Sequence, residues 1–309
     1  MRDLKVQFQV VQGGGTITRA TPTTDEDGEG IVEAEVVAGP DVGDQLFTVK
    51  TLDGSNLTIE FPGRTVAKPT IRASGVVNAA SGREESGLSA GSYISIFGTS
   101  LSESLRVATT SSLPLSLANV SVGFDVPERM VSYPGRIHFV SAGQINVQVP
   151  WELQGLSQVS MKVSFGDYSS SIYTVKLNDY SPAMFEYAEA SSGRTLAAAL
   201  DGGFKLIGSS NPVARGGVAQ VYANAIGPVD NTPASGEPTP SERLSQCRVL
   251  PTVTIGGRNA KVLFCGLAPF NVGLYQLNVE IPSDAPTGAQ PIVITSSGVS
   301  SKSSLLPIN

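Results

Sequence analysis

Three observations predict an all-β chain built from several small sandwich domains. Apolar residues recur at every second position, Gly and Asp-Gly turns separate those runs, and one ordered set of segments occurs twice. Alternate side chains of a strand fall on opposite faces, so a period of two marks a strand with one buried face.

The alternation can be followed along the chain. Val6, Phe8 and Val10 alternate with Lys5, Gln7 and Gln9; Val32, Ala34 and Val36 alternate with Glu33 and Glu35. Leu57, Ile59 and Phe61 repeat the pattern. Further on come Val120, Val122 and Phe124; Ile145, Val147 and Val149; Val159, Met161, Val163 and Phe165; then Tyr173, Val175 and Leu177. Leu277, Val279 and Ile281 follow late in the chain. Turn signals lie between the runs at residues 13–15, Asp27-Gly28, Asp53-Gly54, Pro134-Gly135 and Gly256-Gly257. Gly13 to Gly15 lead into Thr16-Ile17-Thr18 and not into a helix, which predicts a turn or bulge and no phosphate cradle. The best helix candidate is the short stretch 194–200.

Residues 144–150 read QINVQVP and residues 276–282 read QLNVEIP. Upstream, GSYISIFGTSL at 91–101 matches GGVAQVYANAI at 216–226, aromatic for aromatic at Phe97 and Tyr222. Downstream, Phe165-Gly166 with Ser169, Ser170 and Ser171 answers Ser297-Gly298 with Ser300 and Ser301. Matched segments in the same order imply two copies of one domain. Polar, Pro-bearing stretches at 64–70 and 178–182 suggest boundaries. The expected domains are 1–68, 72–178 and 180–309, each an immunoglobulin-like β-sandwich.

The phrases NAAS at 78–81, SYISIFGTSL, QINVQVPWEL, SPAMF, VYANAIGPVD and GLAPFNVGLYQLNVEIPSDAPTG resemble an uncharacterised C-terminal domain family of acidobacterial (Solibacter-type) secreted proteins. The resemblance covers about residues 75–309. It implies a tandem pair of IPT/TIG-type sandwiches and an exported protein, and it implies no chemistry. Against that pattern, residues 125–139 are longer than the short hairpin expected there. VQFQVVQGGGTIT, TTDEDGEGIVEAEV and GDQLFTVKTLDG, within residues 5–62, resemble a bacterial Ig-like domain of the Big-1 type, found in invasin- and intimin-like stalks. That likeness implies a partial domain lacking its first strands, with an uncovered sheet edge or core face.

Composition narrows the function. Hydrophobic residues make up 40% and charged residues 16%, with 33 Gly and 20 Pro. Such a chain fills small cores and covers them with neutral polar side chains. A net charge of −6, without clustered Lys and Arg, excludes a nucleic-acid partner. No apolar run approaches the roughly 18 residues of a membrane span. The first residues do not form a signal-peptide core, so an export signal is expected upstream, on a longer polypeptide.

The sequence offers few chemical groups. His138 is the only histidine. Ser132 and Ser141 lie near it without a nucleophile-elbow motif, so no catalytic residue is assigned. One His and two Cys fall short of a zinc site, and no metal or cofactor is expected. Asp25, Glu26, Asp27 and Glu29 could offer oxygens to calcium. Gly28, however, stands fourth in that run where an EF-hand has glycine sixth, and a solvated hairpin turn explains the segment equally. Trp151, the only tryptophan, is read as packing at a core edge or domain junction; stacking on a sugar, as for Tyr180 or Tyr187, is the alternative. Cys247 and Cys265 are the only cysteines, and an even count in an exported chain favours a disulfide over two buried thiols.

These readings converge on a non-catalytic structural or adhesive module of a secreted or cell-surface bacterial protein, whose ligand is a surface protein or polysaccharide. Carbohydrate-binding accessory domains of a larger exported enzyme are the alternative, and an enzyme with an unrecognised site comes third. A stalk predicts sandwiches set end to end through small interfaces.

Overall fold

The computed structural model describes residues 3–24, 30–83 and 87–309. Residues 25–29 of the acidic turn considered for calcium lie outside the described residues. The chain divides into two compact units, Met1–Ala67 and Lys68–Asn309.

In the first unit, β1 (Val6–Gln12), β4 (Gly43–Thr51) and β5 (Thr58–Thr65) form an antiparallel sheet with β4 central. β2 (Thr16–Ala20) and β3 (Ala34–Val37) pair separately. Register places Phe8, Val49 and Ile59 side by side on one face, with Val10, Phe47 and Phe61 in the next row. Val49 and Phe47 are buried, whereas Ile59 and Phe61 are 60% and 51% exposed. A cleft of about 550 Å³ runs between the two sheets, lined by Phe8, Phe47 and Phe61 from one and Ile17 and Val36 from the other. The apolar face is thus closed over β4 and open along β5. Gly13 and Gly14, both at positive φ, form the turn between β1 and β2.

The second unit holds two sandwiches. The first is made of β6 (Thr70–Asn78), β7 (Tyr93–Thr99), β8 (Arg106–Val107), β9 (Ser116–Leu117), β10 (Val120–Val126), β11 (Val131–Pro134), β12 (Arg136–Val140), β13 (Gln144–Gln148), β14 (Gln158–Phe165), β15 (Tyr168–Ser169) and β16 (Tyr173–Lys176). One sheet runs β6-β7-β13-β12-β8; the other runs β11-β10-β14-β15, with β9 on β10 and β16 on β14. Ile94, Ile96, Val122, Phe124, Ile145, Val147, Met161 and Val163 meet between them as one core. Residues 125–139 form an ordered hairpin closed by a 3-10 turn at Pro127–Arg129, with Met130 in the left-handed region, and then pass into β12.

The second sandwich comprises β17 (Ala183–Met184), β18 (Glu186–Glu189), β19 (Arg194–Ala197), β20 (Ala199–Leu200), β21 (Val218–Asn224), β22 (Thr252–Ile255), β23 (Arg258–Leu267), β24 (Tyr275–Glu280), β25 (Gly288–Ser296), β26 (Val299–Ser300) and β27 (Ser304–Ile308). Its long β23 pairs with β22 through its first residues and with β24 through the rest, passing from one layer to the other. Val221, Leu277, Val279, Ile292, Ile294 and Leu306 fill this core. Stretch 194–200 is strand and not helix. It is too short to nucleate a helix alone, and pairing with β18 and β21 buries Leu196, Ala197 and Ala199 completely. Among the described residues the helical pieces are two 3-10 turns, Pro127–Arg129 and Trp151–Leu153.

The two sandwiches share one ladder in one register. Phe97, Ile96 and Ser95 face Gln144, Ile145 and Asn146; Tyr222, Val221 and Gln220 face Gln276, Leu277 and Asn278. On the other side, β12 and β23 carry a bulge at the same place, between Ile137 and Phe139 and between Val262 and Phe264. Ser170 receives the Val163 N–H as Ser301 receives the Ile294 N–H, each at 3.1 Å.

Candidate functional site

The most constructed region is the seam between the two sandwiches. Asn224 ends β21 with no exposed surface. Its Nδ2 donates to Asn78 Oδ1 (2.9 Å) and to the Tyr93 carbonyl (2.8 Å), and its Oδ1 accepts the Tyr93 N–H (3.0 Å). Asn78, at the end of β6, donates to the Ser181 carbonyl (3.0 Å) and accepts from the Ala80 N–H. Both amides therefore have their nitrogen and their oxygen engaged, as burial demands. Gln148, also fully buried, donates to the Gly91 carbonyl and accepts the Gly236 N–H at 2.7 Å.

Trp151 completes the seam. It follows β13 in the chain, yet its ring packs in the second sandwich's core. Gly91, at φ +75°, makes room, because a Cβ there would lie 2.2 Å from that ring. The Trp151 backbone N–H donates to Ser235 Oγ (2.8 Å), whose hydroxyl donates to Glu152 Oε2 (2.7 Å). The Leu113 N–H reaches the Gly236 carbonyl, and Ser112 Oγ donates to Glu237 Oε2. The small interface expected of end-to-end sandwiches is not what joins these two. Each buried amide needs partners, and each of these finds at least one of them on the other sandwich.

Cys247 and Cys265 are joined, with Cα atoms 5.4 Å apart, and the Cys247 N–H donates to the Cys265 carbonyl. The bridge ties the segment between β21 and β22, which carries Ser235, Gly236 and Glu237, to the core strand β23.

The other singled-out residues do not converge. His138 lies exposed at the β12 bulge with its ring edge-on to Tyr93, centroids 5.9 Å apart. Partial desolvation holds its pKa below the usual histidine value. Ser141 Oγ bonds the Gln144 carbonyl, and Ser132 stands opposite Asp125 in the hairpin. Tyr180 lies against Gly227, and Tyr187 donates its hydroxyl to the Ile207 carbonyl at 2.6 Å. Glu189 accepts from the hydroxyls of Ser192 and Ser209 and from the Ser209 N–H, which holds its carboxyl below the usual range. Among the described residues no three His, Cys, Asp or Glu gather to hold a metal, and no helix is long and apolar enough to cross a membrane.

Sequence reasoning placed Trp151 at a core edge or junction but missed Asn78, Gln148, Asn224 and Ser235.

No protein-family model matches the chain, and no curated protein matches it in sequence. Among solved structures, Bacteroides ovatus SGBP-B of the mixed-linkage glucan utilization locus, in complex with a mixed-linkage heptasaccharide, aligns with 99% of this chain and 60% of its own, at 11% identity and TM-score 0.30. The Escherichia coli adhesin FdeC aligns with 100% of this chain and 87% of its own, at 11% identity and TM-score 0.23. The surface layer protein SbsC, domains 4–9, aligns with 98% of this chain and 47% of its own, at 11% identity and TM-score 0.23. At such scores the likenesses carry no argument about ligand or partner. The chain's own ladders establish tandem immunoglobulin-like sandwiches.

Proposed function

We propose that the chain is a non-catalytic adhesive or structural module of a secreted or cell-surface bacterial protein, part of a longer polypeptide, with the fused sandwiches of 68–309 as a rigid platform. The observation that carries this reading is the sealed seam. Buried amides satisfied across a junction fix one relative orientation of the two sandwiches, and an adhesive or load-bearing surface needs that rigidity. The disulfide supports an oxidising compartment. In the same proposal, the pair at about 75–309 belongs to the acidobacterial IPT/TIG-like family, and residues 1–68 to a partial Big-1 domain.

Beads coated with the purified protein should be retained on surface polysaccharide or surface-protein films, without turnover of ester, glycoside or peptide model substrates. A turnover abolished by substituting one of the chain's own residues overturns the reading. Thiol titration in denaturant should find none before reduction and two after; two reactive thiols beforehand would remove the argument for export.

A further inference from the structure

The solvent faces of the two equivalent sheets differ in what they have kept. Along the ladder, core positions have drifted within apolar limits: Ile145 stands for Leu277, Ile94 for Ala219, and Ile96 for Val221. On the face away from the core, several positions have changed character, with Tyr93 for Val218, the buried Ser95 for Gln220 and the seam-buried Gln148 for Glu280. Yet Gln144 and Gln276 are identical, as are Asn146 and Asn278. The aromatic directly across from each asparagine, Phe139 or Phe264, is also identical.

The two amide pairs share one bond, and in the first sandwich Ser95 Oγ also donates to Asn146 Oδ1 at 2.9 Å. Gln144 Nε2 donates to Asn146 Oδ1 at 2.8 Å, and Gln276 Nε2 donates to Asn278 Oδ1 at 2.8 Å. That bond uses one atom of each amide. Gln Oε1, an acceptor, and Asn Nδ2, a donor, have no protein partner in either sandwich among the described residues. None of the four is a buried unpaired atom, so each reaches solvent. A fixed acceptor and a fixed donor, side by side on a half-buried sheet face with an aromatic ring next to them, match two features of a sugar. Vicinal hydroxyls both donate and accept, and the C–H face of the ring packs on an aromatic. The set held in common carries no charge. A cation also stands at the equivalent positions Arg136 and Lys261, but Arg136 packs against Gly236 in the seam, so it is not part of a surface common to both copies.

We infer that the faces centred on Gln144, Asn146 and Phe139 and on Gln276, Asn278 and Phe264 are two equivalent binding sites for a neutral polysaccharide. This names the ligand class of the adhesive platform and rests on that reading. It is distinct from the possibility that the Gln–Asn pair only staples the sheet beside its bulge.

The test is affinity electrophoresis of the full chain through gels containing amylose, xylan, mixed-linkage β-glucan, mannan or galactan, with alginate as the acidic control. At least one neutral polymer should retard the protein, and alginate should not. Asn146→Ala and Asn278→Ala should each weaken binding at their own site about tenfold, the loss of one good hydrogen bond, so each single variant should keep part of the retardation through the other site. The double variant should abolish it. Hydrogen exchange on the unmodified protein, with oligosaccharides of the retarding polymer, provides a readout independent of variant folding: protection should rise on β12–β13 and β23–β24. Absence of retardation by any neutral polymer overturns the inference, as does full retardation of a folded double variant or protection confined elsewhere. Retention on protein films without any glycan retardation would leave the adhesive reading standing and this one refuted.

Discussion

The first and second sandwiches are the same ladder with different edges. In the first, β8 pairs with β12 through two residues, Val107 on Phe139 and Arg106 on Val140. In the second, Cys265 takes the register position of Val140, and a disulfide to Cys247 holds the edge segment instead. The layer-crossing hairpin also differs: the first turns through Pro127–Arg129 and Met130, the second through Gly256 and Gly257, both at positive φ. Register follows from alternation, which both copies retain. Edges and turns are free to specialise, and the second copy has used its pinned segment to clasp the first.

The severest way to break this comparison is Trp151→Ala. If the sandwiches were independent, truncating a residue of the first should leave the second intact. Because the ring fills the second core, we expect about 4 kcal/mol of destabilisation and faster exchange in β21, β24 and β27. A change under about 1 kcal/mol, far below the usual cost of a buried aromatic, would show two separable domains.

Replacing Cys247 and Cys265 together by Ser tests the pinned edge. Freeing an 18-residue separation should lower stability by about 3 kcal/mol in the chain-entropy model. The loss should extend to the amide protection of Gly236 and Leu113, which the pinned segment supplies. Denaturation with and without reductant measures the first effect and hydrogen exchange the second. Unchanged protection at Leu113 would mean that the clasp holds without its bridge.

Asn224→Ala probes the seam's polar half. It leaves the Tyr93 N–H and carbonyl and Asn78 Oδ1 short of a partner, so about 2 kcal/mol is expected. If Asn224→Leu proved harmless, the amides would be dispensable and packing alone would hold the orientation.

How much of this was legible depended on sequence distance. The strands announce themselves locally, because Ile145, Val147 and Val149 alternate within six residues. The duplication was legible because whole phrases recur. Trp151 could be placed near a junction, since Pro150 ends its strand. The Asn78–Asn224 pair was not legible: two asparagines nearly half a chain apart give no local period, and their pairing exists only once both strands are placed. The amide face was hidden differently. Gln144 and Asn146 read as the polar half of an alternation, and only the second copy reveals that those polar choices were kept.

The finest test asks whether the copies are energetically as well as geometrically equivalent. Ser170 and Ser301 are each 8% exposed. Each receives a backbone N–H at 3.1 Å and donates to the next residue's carbonyl at 2.9 Å. Alanine at either position removes one buried acceptor from a backbone amide and one donor from a carbonyl, with almost no change in apolar packing. Each substitution should therefore cost about 1 kcal/mol. The two values should agree within about 0.5 kcal/mol, the usual tolerance for distant independent sites, and their sum should describe the double variant. Urea denaturation of the four proteins measures this directly. If Ser301→Ala cost far more than Ser170→Ala, the disulfide and clasp would have made the second sandwich's hairpin part of a larger cooperative unit. The shared ladder would then be a common ancestry of shape without a common stability.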